Sequence, residues 1–196
     1  MGSTPINKEL TNHIQLLEKT VEQFESLISK LIDLICIGFQ NGNKILLCGN
    51  GGSAADVQHI AAEFINRFRF DRPALPAIAL TTDSSVLTSI GNDSSFDFVF
   101  SRQVEALANP GDILIGISTS GGSRNVLNAL NTARKKGVKT IGFTGEGGRE
   151  TMGSQCDYCL IVPSIDTARI QEAHEFVWHC ICRIVEDKIF DASKNG

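Results

Sequence analysis

The sequence predicts an α/β protein: a doubly wound, five-stranded parallel sheet flanked by helices, led by a long N-terminal helix used in oligomerisation. Three observations carry this. After Gly42, five short and continuous apolar runs alternate with amphipathic segments, the pattern of buried parallel strands with helical crossovers. Two Gly/Ser-rich loops each follow such a run and open a helix. Residues 8–40 repeat apolar side chains at alternating spacings of three and four, a helical seam.

That first helix carries Ile14, Leu17, Val21, Phe24, Ile28, Leu31 and Ile35 along the seam. Leu16, Leu27, Leu34 and Ile37 form a second apolar flank. A helix that is apolar on two sides is expected to pack partly against another subunit. Strands are expected at 44–49, 76–81, 112–118, 138–144 and 157–163, with helical segments at 53–68, 84–107, 123–136 and 167–190 and a short piece at 148–153. Residues 146–150 (EGGRE) read as a flexible turn. The 196 residues are expected to form one domain, with a helical segment at 1–42 and a sheet-and-helix core at 43–190.

Composition excludes several classes. A formal net charge of -4 argues against a nucleic-acid binder. No apolar run approaches the ~20 residues a membrane span needs. The start, MGSTPINKEL, lacks the apolar region of a secretory signal, and Ile6 stands where an N-myristoylation signal wants Ser or Thr. Of six cysteines only Cys156 and Cys159 have metal or redox spacing, and no second pair completes a zinc site. They read as reduced core cysteines of a cytoplasmic protein.

Ligands of a doubly wound sheet bind beyond the carboxyl ends of its strands, where both Gly/Ser loops are expected. In the first, Gly49-Asn50-Gly51-Gly52-Ser53, glycine lets backbone approach a ligand at positive φ. Ser53 is the expected helix cap, with Asp56 completing a capping box. The second, Ser118-Thr119-Ser120-Gly121-Gly122-Ser123, offers hydroxyls and free N–H groups at a helix N-terminus, an anion site suited to phosphate. GNGGSA also fits a loose dinucleotide pattern, but the nearest acid at a following strand end, Asp83, comes more than thirty residues on, where about twenty are expected. A phosphorylated small molecule ranks above a dinucleotide.

His59 and Glu63 are four residues apart, so on a helix they stack and can share one ion or one substrate atom. On spacing alone an exposed pair without a site is the commoner reading. The last helix carries Gln171, His174 and His179 among apolar residues, and buried imidazoles need partners. Gln171 and His179 lie ~12 Å apart along an ideal helix axis. Either that helix is irregular, or a site using both takes them from two copies of the chain.

The runs LLCGNGGSAADVQHIAAEF, LTTDSSVLTSIGND, DILIGISTSGGS and ARIQEAH with a following His together resemble the sugar isomerase (SIS) fold, and more narrowly the phosphoheptose isomerase family. The resemblance covers residues 8–190. It implies an aldose–ketose isomerase that converts sedoheptulose 7-phosphate to D-glycero-D-manno-heptose 7-phosphate in bacterial heptose biosynthesis. It also implies a cytoplasmic homotetramer with zinc sites between subunits, one zinc per site. By the same resemblance His59, Glu63, Gln171 and His179 match the metal ligands, and Glu63 and His179 the acid/base pair. Asn50, Gly51, Gly52, Glu63, Asn92, Asp93, Ser118, Thr119, Ser120, Ser123 and Gln171 match substrate contacts, and His174 a supporting histidine. The chain departs from the family at Ala168, where some members carry an acid, and at Ser94-Ser95, where an aromatic-Gly pair is frequent.

Two other readings compete. A non-catalytic tetramer of the same fold binds the bacterial replication initiator, but it lacks the residues that match Glu63 and His179. A regulatory module would bind a sugar phosphate without turnover.

Overall fold

The structure is a computed structural model and describes residues 4–190. The Met1-Gly2 start weighed above lies outside the described residues. The chain opens on α1 (Pro5–Gln40), which begins three residues earlier than its apolar seam suggests. Proline at its first turn leaves no needed donor, and Thr4 Oγ1 accepts from Asn7 N at 3.2 Å as the cap. There follow β1 (Ile45–Gly49), α2 (Gly52–Ile65), β2 (Ala77–Ala79), α3 (Ser84–Asp93), α4 (Ser101–Leu107), β3 (Ile113–Ile117), α5 (Arg124–Lys135), β4 (Lys139–Gly145), α6 (Met152–Gln155), β5 (Tyr158–Val162) and α7 (Thr167–Phe190).

All strand pairings are parallel, in the order β2-β1-β3-β4-β5. β1 and β3 are apolar and buried throughout, and β4 is buried after Lys139, because both faces are covered. On one face Ile45, Leu47, Ile113, Ile115, Ile141 and Phe143 pack under α1, α2 and α7. On the other, Leu46, Cys48 and Leu114 pack under α4, α5 and α6. The helix after β1 therefore lies on one face and the helix after β3 on the other. The β1/β3 boundary is the topological switch point, and the two Gly/Ser loops leave the sheet there.

Three expectations are corrected. The helix expected at 84–107 is broken: α3 ends at Asp93, and Ser95 leaves the helix with extended backbone. Its hydroxyl accepts from Asp97 N at 3.1 Å and starts a 3-10 turn over Phe96–Phe98. The second strand shortens to Ala77–Ala79 at the sheet edge. The EGGRE segment is an ordered 3-10 turn, Glu146–Gly148, with Arg149 Nε donating to Glu146 Oε1 at 2.6 Å.

The two-sided N-terminal helix divides its surface. Leu31, Ile32, Ile35 and Cys36 are buried in the chain's own core, whereas Ile6, Leu10 and Ile14 are exposed. Phe176 and Ile184 on α7 are exposed as well. All six cysteines are free thiols. No helix among the described residues is long and apolar enough to cross a membrane.

Candidate active site

The first loop is built from backbone that only glycine adopts readily. Gly51 has φ +56° and sits open, and α2 begins at the next residue. Gly51 is therefore the cap, with no side-chain hydrogen bond, and the expected Ser53–Asp56 capping box does not form. Asp56 instead accepts from the Gln171 amide at 2.9 Å, because α7 packs against α2 there. A Cβ on Gly52 would run into that same amide. Burial pushes the Asp56 carboxyl above its ordinary pKa, while the Gln171 bond pulls the other way.

The second loop crosses from β3 to α5. Ser118 Oγ and Ser123 Oγ lie 3.0 Å apart, and Gly122 N donates to Ser120 Oγ at 3.3 Å. Ser123 makes no side-chain cap to α5, so its hydroxyl stays within the loop. Gly121 has φ +70°, and a Cβ there would collide with Gly148. Gly145 N donates to Thr119 O, and Thr151 Oγ1 to Gly121 O, so neighbouring turns hold the loop from behind. The two loops are joined by reciprocal amide bonds, Asn50 Nδ2 to Asn125 Oδ1 and Asn125 Nδ2 to Asn50 Oδ1, both 2.9 Å. The second loop, with its hydroxyls gathered at the uncapped N-terminus of α5, is suited to an oxyanion such as phosphate.

Further along α2, His59 and Glu63 meet α7. His59 Nε2 lies 3.0 Å from His179 Nε2, with the rings at 89°, and 3.7 Å from Glu63 Oε1. One imidazole thus bridges a carboxylate four residues on and an imidazole 120 residues on. The Phe68 ring lies 5.9 Å from the His179 ring. His59 is 47% exposed, so the group faces outward from the α2–α7 layer.

Gln171 belongs to another part of this arrangement. α7 is one unbroken helix, and Gln171 reaches Gly52 and Asp56, two turns before His179. Asn92 Nδ2 donates to Asp93 Oδ1 at 2.7 Å at the end of α3, and both residues are exposed. Among the described residues no hydrogen bond links them to the imidazole group or the hydroxyl loop. His174 is fully buried, 3.3 Å from Thr144 O, and edge-on to Phe143. Burial pushes its pKa down to about 4, against the pull of the Thr144 carbonyl. Asp166, the nearest acid to Ala168, caps α7 through Oδ1, accepting from Ala168 N at 3.0 Å.

Two imidazole nitrogens and a carboxylate are the donor types zinc takes. Nitrogens on one tetrahedral ion at ~2.0–2.1 Å stand roughly 3.4 Å apart, near the His59–His179 spacing. Within a single chain the set is incomplete: among the described residues no three His, Cys, Asp or Glu side chains are arranged to hold an ion.

Sequence reasoning missed Asn125, Phe68, Arg72 and Glu186. Asn125 carries no signal beyond its place as the second residue of α5. Arg72 stands among Arg67, Arg69 and Asp71, and Glu186 beside Asp187 and Lys188, so nothing in the sequence separates the buried charge from its solvated neighbours.

The SIS domain family matches residues 10–145. The chain is 54% identical to the phosphoheptose isomerase of Aliarcobacter butzleri over 184 residues, 94% of this chain and 97% of that one. It is 55% identical to the phosphoheptose isomerase of Synechocystis sp. over 184 residues, 93% and 94% of the two chains. The solved structure of a phosphoheptose isomerase from Francisella tularensis superposes with a TM-score of 0.88 at 38% identity, over 93% of this chain and 96% of that one. The Neisseria gonorrhoeae phosphoheptose isomerase gives 0.87 at 40%, over 93% and 97%. The Vibrio vulnificus NanR protein, at 14% identity and a TM-score of 0.60, shares the fold alone. On its domain match, on relatives more than half identical across nearly the whole chain, and on superposable structures, this chain belongs to the phosphoheptose isomerase family of SIS-domain proteins.

Proposed function

We propose that the chain is an aldose–ketose isomerase that converts sedoheptulose 7-phosphate to D-glycero-D-manno-heptose 7-phosphate through an enediol. The observation that carries this is the meeting of Glu63 and His179 on one imidazole, in a chain 54% identical to a named phosphoheptose isomerase. Isomerisation needs a base for a carbon-bound proton, an acid at the carbonyl oxygen and fixed partners for the developing charge. In this reading Glu63 takes the proton and His179 supplies one to the oxygen. Ser118, Thr119, Ser120 and Ser123 hold the phosphate with the N-terminus of α5, and Asn50, Gly51 and Gly52 line the sugar. Anchoring the phosphate lets remote binding energy orient the reacting carbons. Asn92 and Asp93 are assigned to the substrate as well.

His59, Glu63, His179 and Gln171 would hold the metal. Bound there, zinc supplies a Lewis acid that polarises the carbonyl or orients the diol. Because α7 is one unbroken helix and Gln171 bonds Asp56, a site using both His179 and Gln171 is read as taking them from two copies of the chain. The exposed apolar side chains of α1 and α7 offer surface for self-association, and the assembly assigned in this reading is a cytoplasmic homotetramer.

The test follows solvent deuterium into the product when the protein is given sedoheptulose 7-phosphate in heavy water. Turnover with label at the carbon that becomes C2 is expected, and Glu63→Gln should lower kcat by roughly 10²–10⁴-fold. Binding without turnover by the unaltered protein would sink the isomerase reading. Glu63→Gln with near-normal kcat would remove Glu63 as the base.

A further inference from the structure

Residues 66–76 join α2 to β2 without a helix or strand of their own, yet their polar groups converge on two buried side chains. Glu186 Oε1 accepts from Phe68 N at 2.9 Å and from Arg72 Nε at 3.0 Å, and Oε2 accepts from Arg69 N at 2.7 Å. Arg72 Nη1 donates to Phe64 O at 2.7 Å and Pro73 O at 3.0 Å, and Nη2 to Glu63 O at 2.7 Å. The Phe190 ring lies 5.5 Å from the guanidinium carbon. The two side chains are 2% and 1% exposed. Desolvating such a pair costs so much that it gives little net stability, unless every donor and acceptor is matched. Here the matching fixes a geometry.

The groups so held bear on the imidazole cluster from three sides. Nη2 grips the main chain of Glu63 itself. Phe68, pinned through its N–H, packs its ring against His179. Glu186 stands seven residues beyond His179 on the same stripe of α7, two turns along. Arg72 thus ties the C-terminal end of α2 to α7 at the place where His59 and Glu63 must face His179. We propose that Arg72 and Glu186 are positioning residues that set the separation between Glu63 and His179 without touching substrate. The inference rests on the isomerase reading above.

Two single variants and one double variant test it. Arg72→Lys keeps the charge but cannot reach three carbonyls, and Glu186→Gln keeps the shape but loses an acceptor. Arg72→Met with Glu186→Leu removes both charges at similar bulk, an exchange buried pairs often tolerate. All three should lower kcat at least about tenfold while KM stays within about threefold, because sub-ångström misplacement costs rate and the phosphate loop is untouched. Ring resonances of His59 and His179 should move, and those of His174, packed against Phe143, should stay. A double variant that folds with unaltered kcat would overturn the proposal and leave a structural clasp. Unmoved His59 and His179 resonances in a folded variant would overturn it equally. If a single variant fails to fold, the double variant decides. If the unaltered protein shows no turnover, the isomerase reading fails, and the resonance shifts still judge the positioning.

Discussion

Replacing His174 by phenylalanine should flatten the acid side of the stability curve. His174 is fully buried between β4 and α7, its Nε2 reaches only the Thr144 carbonyl, and its Nδ1 has no partner among the described residues. Burial holds its pKa at about 4, down from 6.5. Between those values the unfolded chain binds a proton there that the folded chain refuses. Stability therefore rises with pH through this window, is complete above 6.5, and is lost as pH falls toward 4. At 1.36 kcal/mol per pKa unit the loss is about 3 kcal/mol. The sole tryptophan, Trp178, is buried one turn along α7 and reports unfolding in urea. The phenylalanine variant has no titrating group at this position, so carboxylates common to both proteins cancel in the difference. Near pH 7 the variant should be within about 1–2 kcal/mol of the parent, reflecting one lost hydrogen bond against a better-matched apolar ring. The parent-minus-variant difference should then shift by about 3 kcal/mol between pH 7 and pH 4, against the parent. A difference that stays constant over this range would refute the burial account of His174.

Gly121→Ala should destabilise the protein by about 1–3 kcal/mol in urea unfolding, since alanine at φ +70° is strained and its Cβ meets Gly148. It should also raise KM more than it lowers kcat, because the displaced loop is the proposed phosphate end. Ser123→Ala removes the hydroxyl 3.0 Å from Ser118 Oγ and should raise KM about tenfold, for about 1.4 kcal/mol of lost phosphate binding, with kcat little changed in steady-state assay. Chelation should remove turnover in step with the loss of metal by elemental analysis, and added zinc should restore it. Full activity in metal-free protein would remove the ion from the chemistry.

Much of the fold was legible because buried parallel strands must be short apolar runs, and Ile45–Gly49 and Ile113–Ile117 are that. The break after Asp93 was not, because VLTSI and FDFVF continue a helical apolar rhythm across it. Only the local hydroxyl of Ser95, competing for a backbone N–H, ends it. The hydroxyl loop was legible as a strand-to-helix turn, but Ser and Gly are also ordinary helix caps, and that Ser123 does not cap α5 is visible only in the structure. The Ser53–Asp56 capping box was misread because spacing cannot show that Gln171 claims Asp56 from a helix more than a hundred residues away.

The imidazole cluster marks the limit of spacing arguments. His59 and Glu63 were legible as a pair, but an exposed pair is ordinary until something meets it. What meets it is His179, and that depends on α2 and α7 lying side by side on one face of the sheet, a consequence of topology that no window of sequence contains. The same topology splits the site. α2 and α5 leave the switch point on opposite faces, and the proposed oxyanion site lies there, between the heads of the two helices. The imidazoles lie further along, beyond Gly52, by ~10 Å of helix to His59. An outward-facing cluster, with His59 47% exposed, is a poor place for proton transfer unless something excludes water. The exposed Phe176 and Ile184 of α7 and Ile6, Leu10 and Ile14 of α1 provide apolar surface for a second copy to cover. In the proposed reading, a helix apolar on two sides and a ligand set divided along one unbroken helix point to the same requirement, that a second chain close the reacting centre.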